Sequence, residues 1–210
     1  MRLLSSLLIL TAAAGTAEII DRVAVSVDNT TIAMSEVVRQ IRITALLNNE
    51  EPDLSPDSKR ETAERLVQQY LIRREINISR YVPNNMQQAD ILFKNFRARY
   101  KTDEEYKAAL TKYRVSEADA RTAFNWQAAF LEFIEVRFRP GITIPEEELK
   151  AAYDAQIKGA APPEAGMSFE EARGLVEKNI TQQRVDNALD RWLGQVSTQT
   201  RIVYRKEAFQ

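Results

Sequence analysis

The sequence predicts a mainly α fold: a bundle of five to six helices with a small sheet that pairs an N-terminal hairpin with a C-terminal strand. Three observations lead to this fold. Valines alternate with small residues at 23–27, apolar residues then recur at helical spacing, and the extended stretch "TRIVYRK" (200–206) closes the chain. Because an isolated two-stranded hairpin is only marginally stable in water, we expect the terminal strand to complete the sheet and join the two chain ends.

The opening stretch predicts a hairpin that leads into a helix. After the alternating valines at 23–27, Asp28 and Asn29 tolerate the left-handed backbone of tight turns, and 30–33 can return as a second strand. Ser35 then stands at the N-cap position of the first helix.

Apolar periodicity predicts the helices that follow. Thr102 and Ser168 stand at N-cap positions, each with an acidic residue three positions later, and Ser116 stands at another N-cap position. Loop-forming residues separate the segments, and "GAAPPEAG" (159–166) is the clearest linker. The helical segments lie at 58–78, 86–100, 102–113, 116–138, 145–157 and 168–196.

The composition is that of an ordinary globular protein, and it excludes several function classes. The 210 residues include 29 basic and 30 acidic side chains, so the clustered basic excess of a nucleic-acid-binding protein is missing. There is no cysteine and no histidine. Disulfides, thiolate or imidazole metal ligands, and cysteine- or histidine-dependent catalysis are therefore excluded. We expect a protein that is not an enzyme and that uses neither a metal nor a cofactor.

Residues 1–17 have the pattern of a secretory signal peptide: a positive start, a short apolar run and a small-residue cleavage site. The run is shorter than the roughly 20 apolar residues that span a bilayer. The sequence predicts cleavage after Ala17, with Ala14 as the alternative. Residues 18–210 are then expected in the periplasm, without stable insertion into a membrane.

Four stretches, taken in order, have counterparts in one known family. They are "DRVAVSVDNTTIAMSEV" (21–37), "AERLVQQYLIRREI" (63–76), "IPEEELKAAYDAQ" (144–156) and the pair "SFEEARGLVEKNITQQRVDNALDRWLGQV" with "TRIVY" (168–204). They resemble the opening hairpin, second helix, foldase-entry helix, and closing helix and strand of SurA-type periplasmic chaperones. The resemblance covers nearly all of 18–210, and its specificity comes from the order of the pieces.

The chain departs from this family at one place. The family carries one or more parvulin-type prolyl isomerase domains where this sequence has "KGAAPPEAG" (158–166). The resemblance therefore implies a SurA-like chaperone domain at 18–210 in which a linker at 158–167 replaces the isomerase. On this interpretation 18–157 is the N-terminal part, and 168–210 supplies the closing helix and strand. It implies ATP-independent binding of unfolded outer-membrane or secreted polypeptides, without prolyl isomerase activity.

Aromatic side chains are the candidate contacts for such polypeptides. The helix containing "FNWQAAFLEFIEVRF" (124–138) is apolar on more than one face, and two further aromatic residues flank the linker. For each candidate, a place in an ordinary helical core is the competing interpretation. The candidate peptide-binding residues are Trp126, Phe130, Phe133, Tyr153 and Trp192.

A second hypothesis is a non-catalytic assembly or interaction subunit, which would present a helix surface to one fixed envelope partner. Self-association of the chain stays open as a further alternative. The acidic runs at 146–148 and 170–171 do not indicate catalysis, because consecutive helical positions point in different directions. Solvated helix N-termini explain them, since the helix dipole favours acidic residues there.

Overall fold

The computed structural model describes residues 21–79, 86–156 and 167–210. Its strands are β1 (Val23–Val27), β2 (Thr30–Ala33) and β3 (Ile202–Tyr204). Its helices are α1 (Met34–Asn48), α2 (Pro56–Ile78), α3 (Met86–Arg97), α4 (Asp103–Tyr113), α5 (Glu117–Arg137), α6 (Glu146–Gln156) and α7 (Phe169–Thr198). The predicted signal peptide at 1–17 lies outside the described residues, as does the predicted linker apart from Met167.

The predicted mainly α fold with a small sheet is confirmed. The described residues form seven helices rather than five to six, one for the helix after the hairpin and one for each of the six periodic segments given above. The boundary between α3 and α4 lies at Thr102, whose side chain accepts the backbone N–H of Glu105 at 3.2 Å and starts the new helix.

The small sheet joins the two ends of the described chain, as predicted. Its strand order is β2-β1-β3, and both pairings are antiparallel. Val25 lies opposite Tyr204, and Val27 lies opposite Ile202. A register irregularity between Val23 and Val25 lets both Ala24 and Val25 face the interior, where they are fully buried.

The inner face of the sheet packs on α1, α2 and the C-terminal residues. We call this cluster the clasp core, because it holds the first and last strands together. Its buried members are Ala24, Val25, Val27, Ile32, Val37, Ile41, Ala63, Leu66, Val67, Leu71, Ala208 and Phe209. A second cluster joins α1, α3, α4 and α5, and a third joins α6 to the first half of α7.

The first helix does not start as predicted. Its N-cap is Ala33, which has no side-chain cap, and Ser35 lies inside the helix. The carboxylate of Asp21 takes the capping role, since it accepts the backbone N–H of Ser35 at 3.2 Å and also the Ser35 hydroxyl. These hydrogen bonds, with that of the hydroxyl strongest, hold the pKa of Asp21 below its usual value.

Asp28 connects the hairpin turn to α2 and to the residues between α7 and β3. Its carboxylate accepts the Arg74 guanidinium at 2.9 Å and the backbone N–H of Arg201 at 3.0 Å. Arg74 also donates to the Thr200 hydroxyl oxygen at 3.0 Å. Arg74 is therefore part of the junction between the two ends of the described chain.

Replacing Asp28 should weaken this junction in a graded way. The Asp28 backbone has φ 50°, a left-handed conformation that Asp tolerates better than Ala, so Asp28→Ala removes two hydrogen bonds and also the polar side chain that suits this conformation. We expect Ala to lower the free energy of unfolding by about 1–3 kcal/mol. Asp28→Asn tolerates the backbone and keeps an acceptor, so its loss should be below about 1 kcal/mol. Urea unfolding measures both values; equal stability of the two variants would contradict the junction.

Candidate functional site

One apolar cluster joins α2, α5 and α7, and it contains four of the five aromatic residues predicted from the sequence. On α5 the spacing i, i+4, i+7 brings Trp126, Phe130 and Phe133 to one side of the helix. Phe138 follows at the end of α5, and Trp192 approaches from α7. We call this set the aromatic cluster: Ile72, Ile76, Trp126, Phe130, Phe133, Phe138, Trp192 and Leu193.

Phe133 forms the buried base of the aromatic cluster. Its side chain is 3% exposed, and its ring centroid lies 5.7 Å from those of both Phe138 and Trp192. Phe138 and Trp192 are themselves 6.2 Å apart in an edge-on arrangement. Such tilted and edge-to-face contacts are the favoured geometry of aromatic pairs. Phe133 therefore contacts other rings rather than solvent.

Trp126 and Phe130 form the more open end of the cluster. Their rings stack with centroids 5.9 Å apart, and both side chains are half-buried. The Arg73 guanidinium lies 4.6 Å from the Trp126 ring centre, a cation–π distance. Arg73 as a residue stays exposed, but desolvation beside the ring lowers its pKa, while the charge of Glu36 acts in the opposite direction.

Trp126 borders a cleft of about 470 Å³ between α1, α2 and α5, which we call the tryptophan cleft. Its wall is apolar where Ile43, Leu66 and Ala123 contribute. Three glutamine side chains also line it, at 40, 69 and 127, and amides can both donate to and accept from a peptide backbone. Apolar walls with a few convergent polar groups are typical of binding sites.

The charges in the tryptophan cleft are balanced. Glu36 and Asp119 line it together with Arg39 and Arg73. The Ser116 hydroxyl donates to Asp119 at 2.6 Å, and this hydrogen bond is the main reason that the pKa of Asp119 lies below its usual value. Asp119 thus remains ionised well into the acidic range, so the cleft keeps its mixed charge near neutral pH.

A second cleft, of about 520 Å³, lies at the other end of α5 and faces α7. We call it the arginine cleft, because Arg137, Arg184 and Arg191 line it together with Asn187. Phe138 belongs both to this lining and to the aromatic cluster. Among the described residues, no carboxylate side chain contributes to the lining.

Tyr153 is the predicted candidate that lies elsewhere. It belongs to the α6–α7 cluster, where its hydroxyl donates to the Met167 carbonyl at 2.6 Å and its ring meets Phe169 edge-on at 5.6 Å. α6 packs on the first half of α7, whereas Trp192 lies in the second half. Tyr153 and Trp192 flank the linker in sequence, but they join different clusters.

Sequence reasoning missed the polar lining of both clefts. A signal for part of it is present: the positions 184, 187, 188 and 191 of α7 follow the i, i+3, i+4, i+7 pattern of one helix face. Two arginines and an asparagine on one face indicate a polar contact surface. The pairing of this face with Arg137 depends on how α5 and α7 pack, which periodicity does not reveal.

Comparisons with models of protein families and with curated proteins give no match. The likeness to SurA-type chaperones therefore rests on the order of elements and the quoted stretches alone. Within 21–79, 86–156 and 167–210, no helix is both long and apolar enough to cross a bilayer. Over the same residues, no three acidic, histidine or cysteine side chains gather as metal ligands would.

Proposed function

We propose that the protein is a periplasmic, ATP-independent chaperone that binds unfolded outer-membrane or secreted polypeptides and has no prolyl isomerase activity. The observation that carries the proposal is the half-buried pair Trp126 and Phe130 beside the tryptophan cleft. Apolar rings that border an open concave surface are typical of sites that bind other molecules.

The tryptophan cleft suits an extended polypeptide. An apolar client side chain can pack on Trp126, whose ring is in contact with Phe130 and Arg73. The glutamine amides at 40, 69 and 127 can meet the client backbone without selecting a particular sequence. Binding of this kind is weak and reversible, so release needs no chemical step.

The fold supports the proposal through its chain order. The hairpin, the successive helices and the closing strand follow the order that resembles SurA-type chaperones, and the paired chain ends agree with it. In this proposal residues 1–17 direct export, and the linker at 158–167 takes the place of an isomerase domain. The protein would thus retain the binding core of such a chaperone.

Trp126→Ala should reduce chaperone activity while leaving the fold intact. Truncation of an aromatic contact residue commonly costs more than about 1 kcal/mol, so client affinity should fall about fivefold or more. The measurement is light scattering of a chemically denatured outer-membrane protein diluted into buffer with the purified protein. Leu175→Ala, which truncates an exposed apolar residue on α7 outside the aromatic cluster, is the control and should protect normally. If both variants suppress aggregation equally well, Trp126 is not part of the client-binding site.

A pull-down from envelope extract separates this proposal from the alternative of an assembly subunit. A chaperone should retain many envelope proteins at low occupancy. A single stoichiometric partner would favour the assembly subunit instead. Acceleration of Xaa-Pro isomerisation in a short peptide would contradict the absence of isomerase activity.

A further inference from the structure

The arginine cleft has an excess of positive charge, whereas the charges of the tryptophan cleft are balanced. The tryptophan cleft carries two acidic and two basic side chains, whereas the arginine cleft carries three guanidinium groups, one amide and no lining carboxylate among the described residues. Concave surfaces lined by one sign of charge concentrate ligands of the opposite sign.

Two of the three arginines form ion pairs with glutamates that do not line the cleft. One terminal nitrogen of Arg184 lies 2.7 and 2.5 Å from the two carboxylate oxygens of Glu148, and the other donates to the Thr143 carbonyl at 2.6 Å. Arg137 lies 3.5 Å from Glu75 on α2. These contacts fix two walls of the cleft and neutralise much of the charge on both side chains.

Arg191 is different, because its charge is not neutralised. Its Nε donates to the Asn187 carbonyl at 3.2 Å, and within the described chain no carboxylate lies at ion-pair distance from it. The side chain is exposed at the cleft, and the Asn187 amide lines the cleft beside it. A guanidinium has five N–H donors in a planar fork, so Arg191 keeps donors for a carboxylate.

The rest of the lining indicates what carries that carboxylate. Phe138, Ile142 and Ala188 give the cleft an apolar wall beside the charge. Phe138 continues this wall into the aromatic cluster through its contact with Trp192. A free inorganic anion would make no apolar contact with this wall. A polypeptide segment with an acidic residue next to an apolar one can contact both the guanidinium and the wall.

We propose that the arginine cleft binds a carboxylate of the client polypeptide through Arg191, with a neighbouring apolar residue packed on Phe138. This inference rests on the proposed function, and it names the class of client segment: acidic next to aromatic or aliphatic. The carboxylate can be an Asp or Glu side chain or the C-terminal carboxylate. The ion pair between Arg191 and the client carboxylate is exposed, so it adds little to the free energy of binding and salt weakens it. It therefore gives a preference among clients and supplies only a small part of the affinity.

The test uses fluorescently labelled eight-residue peptides and the full chain, with anisotropy as the readout. The first peptide is C-terminally amidated and carries two Glu after a Phe-Leu-Phe core. The second is identical except for Gln at the two Glu positions. The third has the sequence of the second but a free C-terminal carboxylate. We expect the Glu peptide to bind about fivefold tighter than the amidated Gln peptide at low salt, and the preference to vanish at high salt. The third peptide shows whether the C-terminal carboxylate is accepted as well.

The decisive variant is Arg191→Glu, with Arg191→Gln as the milder change. Both should abolish the preference for the Glu peptide, while the amidated Gln peptide still binds. Lys178→Glu makes the same charge change at an exposed position of α7 outside the cleft, and it should keep the preference. Thermal unfolding confirms that each variant is folded.

The outcomes separate this inference from the proposed function. If the Glu and Gln peptides bind equally, or if Lys178→Glu acts like Arg191→Glu, the carboxylate site is wrong and the chaperone proposal stands. If none of the peptides binds, both are wrong. Displacement of the Glu peptide by millimolar inorganic phosphate, or Arg191-dependent binding to anionic phosphatidylglycerol vesicles without a peptide preference, would overturn the inference in favour of another anion.

Discussion

A chain that ends at Thr200 is expected to lose its cooperative unfolding transition. The deletion removes β3, which pairs with β1, and takes Ala208 and Phe209 out of the clasp core. The remaining hairpin of β1 and β2 would have an open edge, and a two-stranded hairpin is only marginally stable. Since small domains are stable by about 5–15 kcal/mol in total, losing the strand and its core contacts together should unfold the protein.

A single substitution in the clasp core tests the junction of the chain ends with a smaller perturbation. Phe209 is 7% exposed, so Phe209→Ala should cost about 3–5 kcal/mol through lost burial and the remaining cavity. Circular dichroism during thermal and urea unfolding measures the stability of the truncated chain and of Phe209→Ala. The control is Lys206→Ala, which alters an exposed side chain in the same segment and should change stability by less than about 0.5 kcal/mol. A truncated chain that melts cooperatively within a few degrees of the full chain would show that the ends need not be joined.

Phe133→Ala should produce the largest effect of any single change in the aromatic cluster. The ring is nearly fully buried and contacts both Phe138 and Trp192, so its removal leaves a cavity beneath them. We expect a loss of about 3–5 kcal/mol in the free energy of unfolding, and a smaller loss for Phe133→Leu. Val136→Ala, at a position 54% exposed on the same helix, should stay within about 0.5 kcal/mol.

The functional consequence of the Phe133 change follows from its position. Without this ring, Phe138 and Trp192 lose their common support, so client protection should fall even at temperatures where the variant remains folded. Light scattering at such a temperature, together with the near-ultraviolet circular dichroism of the tryptophans, measures both effects. A Phe133→Ala variant that keeps native stability would show that the ring is not the base of the cluster.

Much of the fold follows from local sequence signals. Ser116 and Ser168 start helices where predicted, because each forms a capping box with the acidic residue three positions later. The strand pairing was also predictable, since a lone hairpin needs a third strand. The start of α1 was not predictable in this way, because its capping carboxylate comes from Asp21, 14 residues before Ser35.

The candidate site was predictable only in part. The aromatic residues of α5 share a face through helical spacing, so three of them were bound to lie close together. Tyr153 lies apart from them, because its hydrogen bond to Met167 and its contact with Phe169 belong to the cluster between α6 and the first half of α7. The two clefts arise from the packing of helices that are distant in sequence, and the periodicity of one helix does not specify its neighbour.

The most direct measurement of client binding at the tryptophan cleft is site-specific photocrosslinking. A photoreactive amino acid replaces Gln127, which lines this cleft and is exposed, or Lys178, which is exposed on α7 outside it. Denatured outer-membrane protein is added before illumination, and crosslinked products are resolved on a gel. If clients bind at the tryptophan cleft, position 127 should crosslink strongly to the client and position 178 only at background levels. Equal crosslinking at both positions, or none at 127 from a protein that still suppresses aggregation, would contradict binding at this cleft.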